Sequence, residues 1–393
     1  MKRVILKRKR LEAVKRRHPW VFSGAIHAFP DGKPDSGEIV RLEDGSDTVL
    51  ATGHYADGSI ALRLFDFSGA EINADFWEQK ISDAYRHRQA IGVAEAADTD
   101  CFRLVHAEGD GLPGLIIDVY GDTAVLQCHS VGMHKIRENL TIALRKVLGA
   151  KLTAVYDKSS ASLSRPYSLT AEDGYLFGEA GQQVVQENGH HFFINWEEGQ
   201  KTGFFLDQRD NRQLLTRYAE NKTVLNAFSY SGGFSVYALK AGANVVHSVD
   251  VSKKAIEWTD KNIALNPSDR GAHEGYAEDV MSFLKNNTRT YEVMVVDPPA
   301  FAKNVRKKHN AVQGYKRLNA LAIKQIAPGG IIFTFSCSQV IDRRLFYDTI
   351  TAAGIEAGRN VRVLHHLSQP ADHPVSLFHP EGSYLKGLVL RVD

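Results

Sequence analysis

The sequence predicts a mixed α/β protein: a doubly wound, Rossmann-like domain at the C-terminal end and two smaller domains before it. Short apolar strands alternate with amphipathic helices from about residue 197 onwards, which is typical of a doubly wound sheet. Residues 1–70 contain short alternating segments separated by Asp-Gly turns, which favours a small β-barrel. Between them, strands surround a central helix, as in a small α+β domain. We therefore predict domains at residues 1–72, 73–190 and 191–393.

Length and composition narrow the class of protein. The 393 residues exceed what one hydrophobic core usually holds. No apolar run approaches the ~20 residues of a membrane span, and the charged N-terminus lacks the apolar segment of a signal peptide. Three cysteines are too few and too scattered for a disulfide framework or a zinc site. These features predict a cytoplasmic protein with no membrane partner.

The N-terminus carries a cluster of positive charge. Nine of the 48 basic residues lie in residues 1–17, where Glu12 is the only acid. Such an arm on a mildly acidic body favours a polyanionic partner such as nucleic acid, although a solvated surface arm or a targeting peptide has the same composition. Alternation of Val4 and Leu6 with charged residues favours an edge strand over a presequence helix.

Hydrophobic spacing gives the elements of the first two domains. Residues 60–65 alternate as a strand, and residues 74–95 have apolar positions at helical spacing. Beyond that helix, a second helix is predicted near residues 133–148. Strands are predicted at residues 102–106, 115–120, 124–129 and 154–156, with two further strands within residues 175–185 and 190–196.

The last domain alternates regularly. Ser252 is a favourable N-cap for a helix that Pro267 ends. The predicted strands are residues 223–228, 244–249, 291–296 and 330–335, and the predicted helices are residues 234–241, 252–266 and 315–327.

A glycine-containing turn follows the first of these strands. Gly232 and Gly233 let the backbone approach a ligand, and Asp250, 18 residues after Gly232, ends the next strand, where it can accept both ribose hydroxyls of a nucleoside. The G-x-G-x-x-G spacing that pyrophosphate needs is missing, so the pattern favours S-adenosylmethionine over a nicotinamide cofactor. A purely structural βα turn is the alternative. The candidate cofactor-binding residues are Gln208, Asn226, Phe228, Tyr230, Gly232, Gly233, Asp250, Asp279, Asp297 and Pro298.

The turn Asp297-Pro298-Pro299 ends the fourth strand of the series, where ligands of open α/β sheets lie. Its prolines fix the backbone and so aim the carboxylate and the carbonyls. Such a turn can hold a planar nitrogen base, which indicates methylation of an amine or a base but does not say at which atom.

Cys337, in Phe335-Ser336-Cys337-Ser338, indicates which atom of the base is methylated. Cytosine C5 is a poor nucleophile until a thiolate adds at C6, so a cysteine at this strand end predicts covalent catalysis. Asp297 would then bind or protonate N3 and stabilise the adduct. The alternative is that Cys337 is a small buried apolar residue, which is common for a free cysteine. We interpret Cys101 and Cys128 as structural.

Basic residues follow the acidic turn and suit phosphate contacts, although a solvated face is the alternative. With the N-terminal arm, they give the candidate RNA-binding residues Arg16, Arg17, Lys303, Arg306, Lys307 and Lys308. His365, His366, His373 and His379 lack acid or thiol partners at ligand spacing, so no metal site is expected.

Taken together, these motifs resemble the bacterial large-subunit ribosomal RNA cytosine-5 methyltransferase I family. The resemblance covers the whole chain and rests on the following segments: residues 17–25 (Arg-His-Pro-Trp-Val-Phe-Ser-Gly-Ala), 108–114, 201–209, 226–234, 297–301, 335–338, 371–374 and 384–387.

The resemblance implies an N-terminal PUA domain, a middle domain of strands around a helix, and a C-terminal S-adenosylmethionine-binding domain. It also implies a 23S rRNA or large-subunit precursor substrate, 5-methylcytosine as product, and often a homodimer. By match, Cys337 is the nucleophile and Asp297 the acid that holds cytosine. Many cytosine-5 enzymes place a second cysteine for product release where this chain has Pro299, so the base that removes the C5 proton is unassigned.

Two rival functions stay open at this stage. Related enzymes with the same Asp-Pro-Pro turn methylate guanine and lack the later cysteine, so the modified nucleoside would distinguish them. A non-catalytic RNA-binding assembly factor would bind RNA without turnover.

Overall fold

The computed structural model describes residues 1–46, 48–179, 181, 183–268, 270–302 and 304–393. These residues form two compact units, and the two predicted N-terminal domains lie within the first except for residues 187–190, which belong to the second. Unit 1 comprises residues 1–186, 194–206 and 371–382, and unit 2 comprises residues 187–193, 207–370 and 383–393. Within the described ranges, no helix combines the length and the apolar character that a membrane crossing requires.

Unit 1 begins with a six-stranded sheet in the order β2-β6-β5-β4-β1-β3. Its strands are β1 (Lys2–Leu6), β2 (Trp20–Phe22), β3 (Ile26–Ala28), β4 (Ile39–Glu43), β5 (Val49–Tyr55) and β6 (Ile60–Asp66), with helix α1 (Leu11–Lys15) after β1. The expectation that the first strand is an edge strand is wrong. β1 pairs with β4 on one side and β3 on the other, because Val4 and Leu6 are both buried in the core of this sheet.

The second sheet of unit 1 has the order β11-β10-β9-β8-β7. Its elements are α2 (Ala74–Ala90), β7 (Cys101–His106), β8 (Leu115–Tyr120), β9 (Thr123–Cys128), α3 (Val131–Lys135), α4 (Arg137–Leu148), β10 (Ala154–Asp157) and β11 (Gly174–Phe177), followed by β12 (Val184–Glu187). Helix α2 ends at Ala90, five residues before the predicted end at residue 95, and Gly92 follows with φ +75°. The single helix predicted near residues 133–148 is two helices, of which Ser130 caps the first.

Unit 2 contains a seven-stranded sheet in the order β16-β15-β14-β17-β18-β20-β19, in which β20 runs antiparallel to both neighbours. The elements of unit 2 are β13 (His190–Phe193), which lies outside this sheet, α5 (Arg209–Ala219), β14 (Thr223–Ala227), α6 (Gly233–Lys240), β15 (Val245–Asp250), α7 (Lys253–Ala264), β16 (Ala272–Ala277), α8 (Val280–Asn286), β17 (Tyr291–Val296), α9 (Lys308–Gln325), β18 (Ile326–Ser336), α10 (Arg343–Ala357), β19 (Val361–Leu367) and β20 (Lys386–Val392).

The predicted elements of this sheet are confirmed, with shifted ends. Ser252 caps α7 as expected, accepting a hydrogen bond from the Ala255 N–H at 3.2 Å. Helix α9 begins seven residues earlier than predicted, and β18 begins at Ile326 rather than residue 330, because its start pairs with Tyr291 of β17. Phe228 lies outside β14, since its φ of +61° is not compatible with a strand.

Strands β14, β15, β17 and β18 are parallel neighbours, so their carboxyl ends lie along one edge of the sheet. The chain leaves β14 towards β15 on one side, and β17 returns to the other side of β14. This reversal is the switch point where open α/β sheets bind ligands.

A buried ion pair fixes helix α5 within unit 2. The guanidinium of Arg212 donates to both carboxylate oxygens of Glu187, at 2.8 and 2.7 Å, and the Tyr237 hydroxyl donates to the same carboxylate at 2.9 Å. Arg212 is 2% exposed. Its guanidinium is committed to this pair.

Candidate active site

The turn after β14 has the backbone of a ligand-binding turn. Phe228 and Tyr230 have φ of +61° and +46°, and Gly232 has φ of +77°. Non-glycine residues in this region are uncommon and cluster at functional sites. The turn is held from behind by α7, where the Thr259 hydroxyl donates to the Tyr230 carbonyl at 2.9 Å and Asn262 donates to the Ser231 carbonyl at 2.8 Å.

Asp250 lies beside this turn at the end of β15. Its two carboxylate oxygens accept hydrogen bonds from the Tyr230 and Ser252 backbone N–H groups, at 3.0 and 2.9 Å. Each carboxylate oxygen can accept two hydrogen bonds, so the group keeps acceptor capacity for a ribose hydroxyl. The structure thus brings Asp250 and Tyr230 together, as the cofactor prediction requires.

Two serine hydroxyls of the same turn fit a polar ligand. Oγ of Ser229 and Oγ of Ser231 are buried and have no hydrogen-bond partner among the described residues. Buried polar groups are normally paired, so an unpaired pair next to Asp250 is consistent with a site that a nucleoside completes.

Three other candidate cofactor-binding residues lie inside β14, at the start of α6 and at the cap of α8. Asn226 is 1% exposed inside β14, where its amide donates to the Ser235 hydroxyl at 2.8 Å, which gives it a packing role. Gly233 is the first residue of α6. Asp279 is exposed and caps α8 by accepting from the Ser282 N–H at 2.9 Å, so one of its oxygens is already engaged.

A chain of buried amides orients Asp297, which follows β17. The Gln208 side-chain amide donates to Oδ2 of Asp297 at 2.9 Å, and the Asn211 amide donates to Oε1 of Gln208 at 2.6 Å. Gln208 is 2% exposed. Gln208 was predicted to bind the cofactor, and its side chain lies on Asp297, a candidate catalytic and cofactor-binding residue. Pro298 is buried and Pro299 exposed in the turn that follows.

Cys337 lies one residue beyond β18, the neighbour of β17. Val296 is level with Thr334 in the parallel register, so Asp297 is level with Phe335 and Cys337 lies two residues further along. Cys337 is partly exposed, whereas Cys101 and Cys128 are fully buried, as predicted for structural cysteines. The Ser338 hydroxyl donates to the Ala302 carbonyl at 2.7 Å and ties the two strand ends together.

Two further ionisable groups lie near this strand end. Burial raises the pKa of the Tyr315 phenol to about 12, and the negative charges of Cys337 and Asp297 act in the same direction. Lys386 is 3% exposed and donates from Nζ to the Ser338 carbonyl at 2.7 Å. Neither residue was predicted as a site residue. The sequence signal for Lys386 was the family resemblance of the segment Tyr384-Leu385-Lys386-Gly387.

The predicted RNA-binding residues are placed in both units. Arg16 and Arg17 are exposed after α1, and Arg306 and Lys307 are exposed at the start of α9, where Lys308 is half-buried. Lys303 lies outside the described residues. Arg16 donates from Nε to the Glu12 carbonyl at 3.3 Å, and the role of all these residues in RNA binding stays a prediction.

Two of the four histidines considered as metal ligands have acidic neighbours. Nδ1 of His373 lies 3.0 Å from Oδ1 of Asp372, and His379 lies beside Glu381 and His18, with ligand atoms within 4.8 Å of one another. The expectation that these histidines lack acidic partners is therefore wrong for two of them. The reason is that the acids are sequence neighbours whose side chains the loop after β19 turns to the same side.

Comparison with known proteins identifies the family. A model of the S-adenosylmethionine-dependent methyltransferase family matches residues 133–388, and a PUA-like domain model matches residues 4–67. The ribosomal RNA large subunit methyltransferase I of Shewanella denitrificans is 39% identical over 398 residues, and that of Escherichia coli O139:H28 is 38% identical over 397 residues. Each alignment covers 99% of both proteins.

Solved structures agree on the fold. A methyltransferase from Streptococcus mutans matches with a TM-score of 0.84 at 23% identity, and a methyltransferase solved with S-adenosylhomocysteine matches with a TM-score of 0.85 at 24% identity. Both matches cover 100% of each chain. The cofactor is therefore S-adenosylmethionine, as predicted, and the chain belongs to the S-adenosylmethionine-dependent methyltransferases and, among them, to the ribosomal RNA large subunit methyltransferase I family.

Proposed function

We propose that this chain methylates carbon 5 of a cytosine in large-subunit ribosomal RNA through a covalent bond between Sγ of Cys337 and C6. The observation that carries the proposal is the placement of Cys337 and Asp297 at the ends of neighbouring parallel strands, on the edge that also carries Asp250. The names of the relatives supply the class of RNA.

The chemistry follows from what each residue can do. S-adenosylmethionine supplies the methyl group from its sulfonium. The Cys337 thiolate adds to C6 and makes C5 electron-rich, so that C5 takes the methyl group. Asp297, in its protonated form, donates a hydrogen bond or its proton to N3 and so stabilises the negative charge that addition creates. Loss of the C5 proton then restores the double bond and expels the thiolate.

The surroundings of Asp297 support its role. The Gln208 amide donates to one oxygen, and this fixes the direction in which the other oxygen points. Buried, geometrically fixed groups of this kind lower the cost of reorganisation during reaction. Tyr315 is neutral over the physiological range because burial raises its pKa to about 12, so it adds no charge to the site.

RNA would be held by phosphate contacts outside the site. Arg16 and Arg17 on the PUA-like domain, and Arg306, Lys307 and Lys308 after the Asp297 turn, are the candidates. The target base has to leave its stack to reach a cleft at strand ends.

The first test is methyl transfer from labelled S-adenosylmethionine to deproteinised large-subunit rRNA, followed by nucleoside analysis. We expect label in 5-methylcytosine. Label in a methylguanosine would contradict the proposal and return Cys337 to a structural role. Binding of the RNA without any label on naked rRNA or on large-subunit particles would favour an assembly factor.

The second test is Cys337→Ala, which should abolish transfer while S-adenosylmethionine binding is retained. Cys128→Ala is the matched control, since that thiol is fully buried in the second sheet of unit 1. RNA containing 5-fluorocytosine cannot lose a C5 proton and should trap a covalent complex with the native enzyme only. Normal turnover by Cys337→Ala would rule out the covalent mechanism.

A further inference from the structure

Lys386 is the first residue of β20 and pairs in the antiparallel register with Ser336, the residue before Cys337. Its Nζ donates to the carbonyl of Ser338, the residue after Cys337, at 2.7 Å. Lys386 therefore contacts the backbone on both sides of the cysteine, through its strand pairing on one side and through its side chain on the other. Since Lys386 is 3% exposed, water cannot replace these contacts freely.

A buried ammonium is an expensive way to hold one loop. A backbone carbonyl is a neutral acceptor, and a buried charge without a counter-charge is destabilising. Among the described residues, no carboxylate oxygen lies within 4.0 Å of Nζ of Lys386. An uncharged donor of similar length would make the same hydrogen bond at lower cost, so a role in binding the loop does not by itself explain a lysine here.

The charged groups that face Lys386 are few. Burial lowers its pKa to about 8, the Cys337 thiolate and the Asp342 carboxylate oppose that shift, and the Arg343 guanidinium adds to it. Cys337 is the larger of the two negative influences. With a pKa near 8, roughly nine-tenths of the molecules carry the ammonium at pH 7.

We propose that Lys386 is the positioning residue that keeps Cys337 in its thiolate form, by holding an ammonium on the backbone carbonyl of the residue that follows the thiol. The interaction is reciprocal: a thiolate that favours the charged lysine is favoured by it to the same extent. The thiol proton leaves to solvent while Nζ keeps its own, so the reactive state is an ammonium–thiolate pair. This inference rests on the nucleophilic role proposed for Cys337.

The test is the pH dependence of Cys337 alkylation by iodoacetamide in the full-length protein, followed by peptide mass spectrometry. Only the thiolate reacts, so the rate reports its formation. In the native protein we expect a midpoint below the ~8.5 of a free cysteine. Cys128 is an internal reference, because burial raises its pKa to about 12 and shields it from the reagent.

Two variants separate charge from structure. Lys386→Gln keeps a donor for the Ser338 carbonyl but removes the charge, and should raise the midpoint by at least one pH unit. Lys386→Arg keeps the charge and should retain a lowered midpoint. Arg343→Gln is the matched control, since it removes a neighbouring cation and should move the midpoint far less. Unchanged S-adenosylmethionine binding will show that each variant is folded.

The outcomes are distinct. An alkylation midpoint at or above about pH 8.5 in the native protein would overturn the role of Lys386 without any variant. Equal alkylation midpoints for the native protein and Lys386→Gln would also overturn it. The acid limb of the methyl-transfer rate should move with the alkylation midpoint. Because alkylation requires no RNA, formation of methylguanosine would refute the proposed function without altering this measurement, and 5-methylcytosine with an unshifted midpoint would refute the lysine's role alone.

Discussion

At the scale of single residues, the buried side chain of His54 in unit 1 affects how the stability of the protein depends on pH. Both of its ring nitrogens lack a hydrogen-bond partner among the described residues, and its ring stacks on Trp77 at 6.2 Å between centroids. Burial, and then the charges of Arg63 and Lys135, lowers the pKa of His54 to about 3. The imidazole is therefore neutral in the native state at every physiological pH.

This predicts acid-sensitive stability at the residue scale. The unfolded chain binds a proton at His54 near pH 6.5 and the native chain only near pH 3, so stability falls as the pH drops through that window. Between pH 6.5 and 5 the loss from this residue is about 2 kcal/mol. Urea unfolding at both pH values should show a smaller loss for His54→Phe, while exposed His27→Phe should match native protein. Equal losses in all three would contradict this account.

At the scale of elements, the turn from β14 into α6 packs closely against α7 and is the candidate cofactor-binding turn. Gly232 has φ of +77°, and a Cβ at this position would lie 2.5 Å from Cγ2 of Thr259 on α7. The same Thr259 holds the Tyr230 carbonyl, so the helix packs closely on the turn that presents Tyr230 to Asp250. Close helix packing therefore requires a residue without a side chain.

We expect Gly232→Ala to lower stability by about 2–4 kcal/mol, from a left-handed backbone and a steric clash together. Because the turn must shift, its affinity for S-adenosylmethionine should fall by roughly tenfold or more. Urea midpoints and calorimetric Kd values would measure both. Gly58→Ala is the control, since its Cβ would have no neighbour within 4 Å and its φ is not positive. An unchanged Kd with reduced stability would separate packing from binding.

At the scale of the whole molecule, the positive charge of the N-terminal arm is only partly available. Lys2 pairs with Glu38 at 2.9 Å and Arg3 with Asp31 at 2.8 Å, so these two bases are engaged within the first sheet. Arg16 and Arg17 are exposed and have no ion pair in the described part of the chain. The net charge of the arm thus overstates what an RNA phosphate would meet.

The double variant Arg16→Gln/Arg17→Gln should weaken RNA binding and reduce the slope of log K against log salt by roughly 1.5, the contribution of two phosphate contacts. Lys146→Gln, which removes a base paired with Glu78, should leave the slope unchanged. Filter binding or fluorescence anisotropy between 50 and 200 mM salt, as an approximate working range, would measure it. A native slope in the double variant would place the phosphate contacts elsewhere.

The sequence by itself determined the strand–helix alternation, and it predicted the cofactor turn and the candidate site residues Asp250, Asp297 and Cys337. The reason is that these features are local: a parallel sheet brings strand ends to one edge, so a residue that ends a strand can be assigned there from its position alone. Capping by Ser252 is local in the same way.

Only the tertiary structure decided the contacts that join distant segments. Gln208 reaches Asp297 across 89 residues, and Lys386 reaches Ser338 across 48. The interior place of β1 also depends on two partner strands that its own alternation does not reveal. Side-chain pairing of this kind depends on how strands and helices pack, which hydrophobic spacing does not specify, and so the groups around the candidate catalytic residues became visible only in the folded chain.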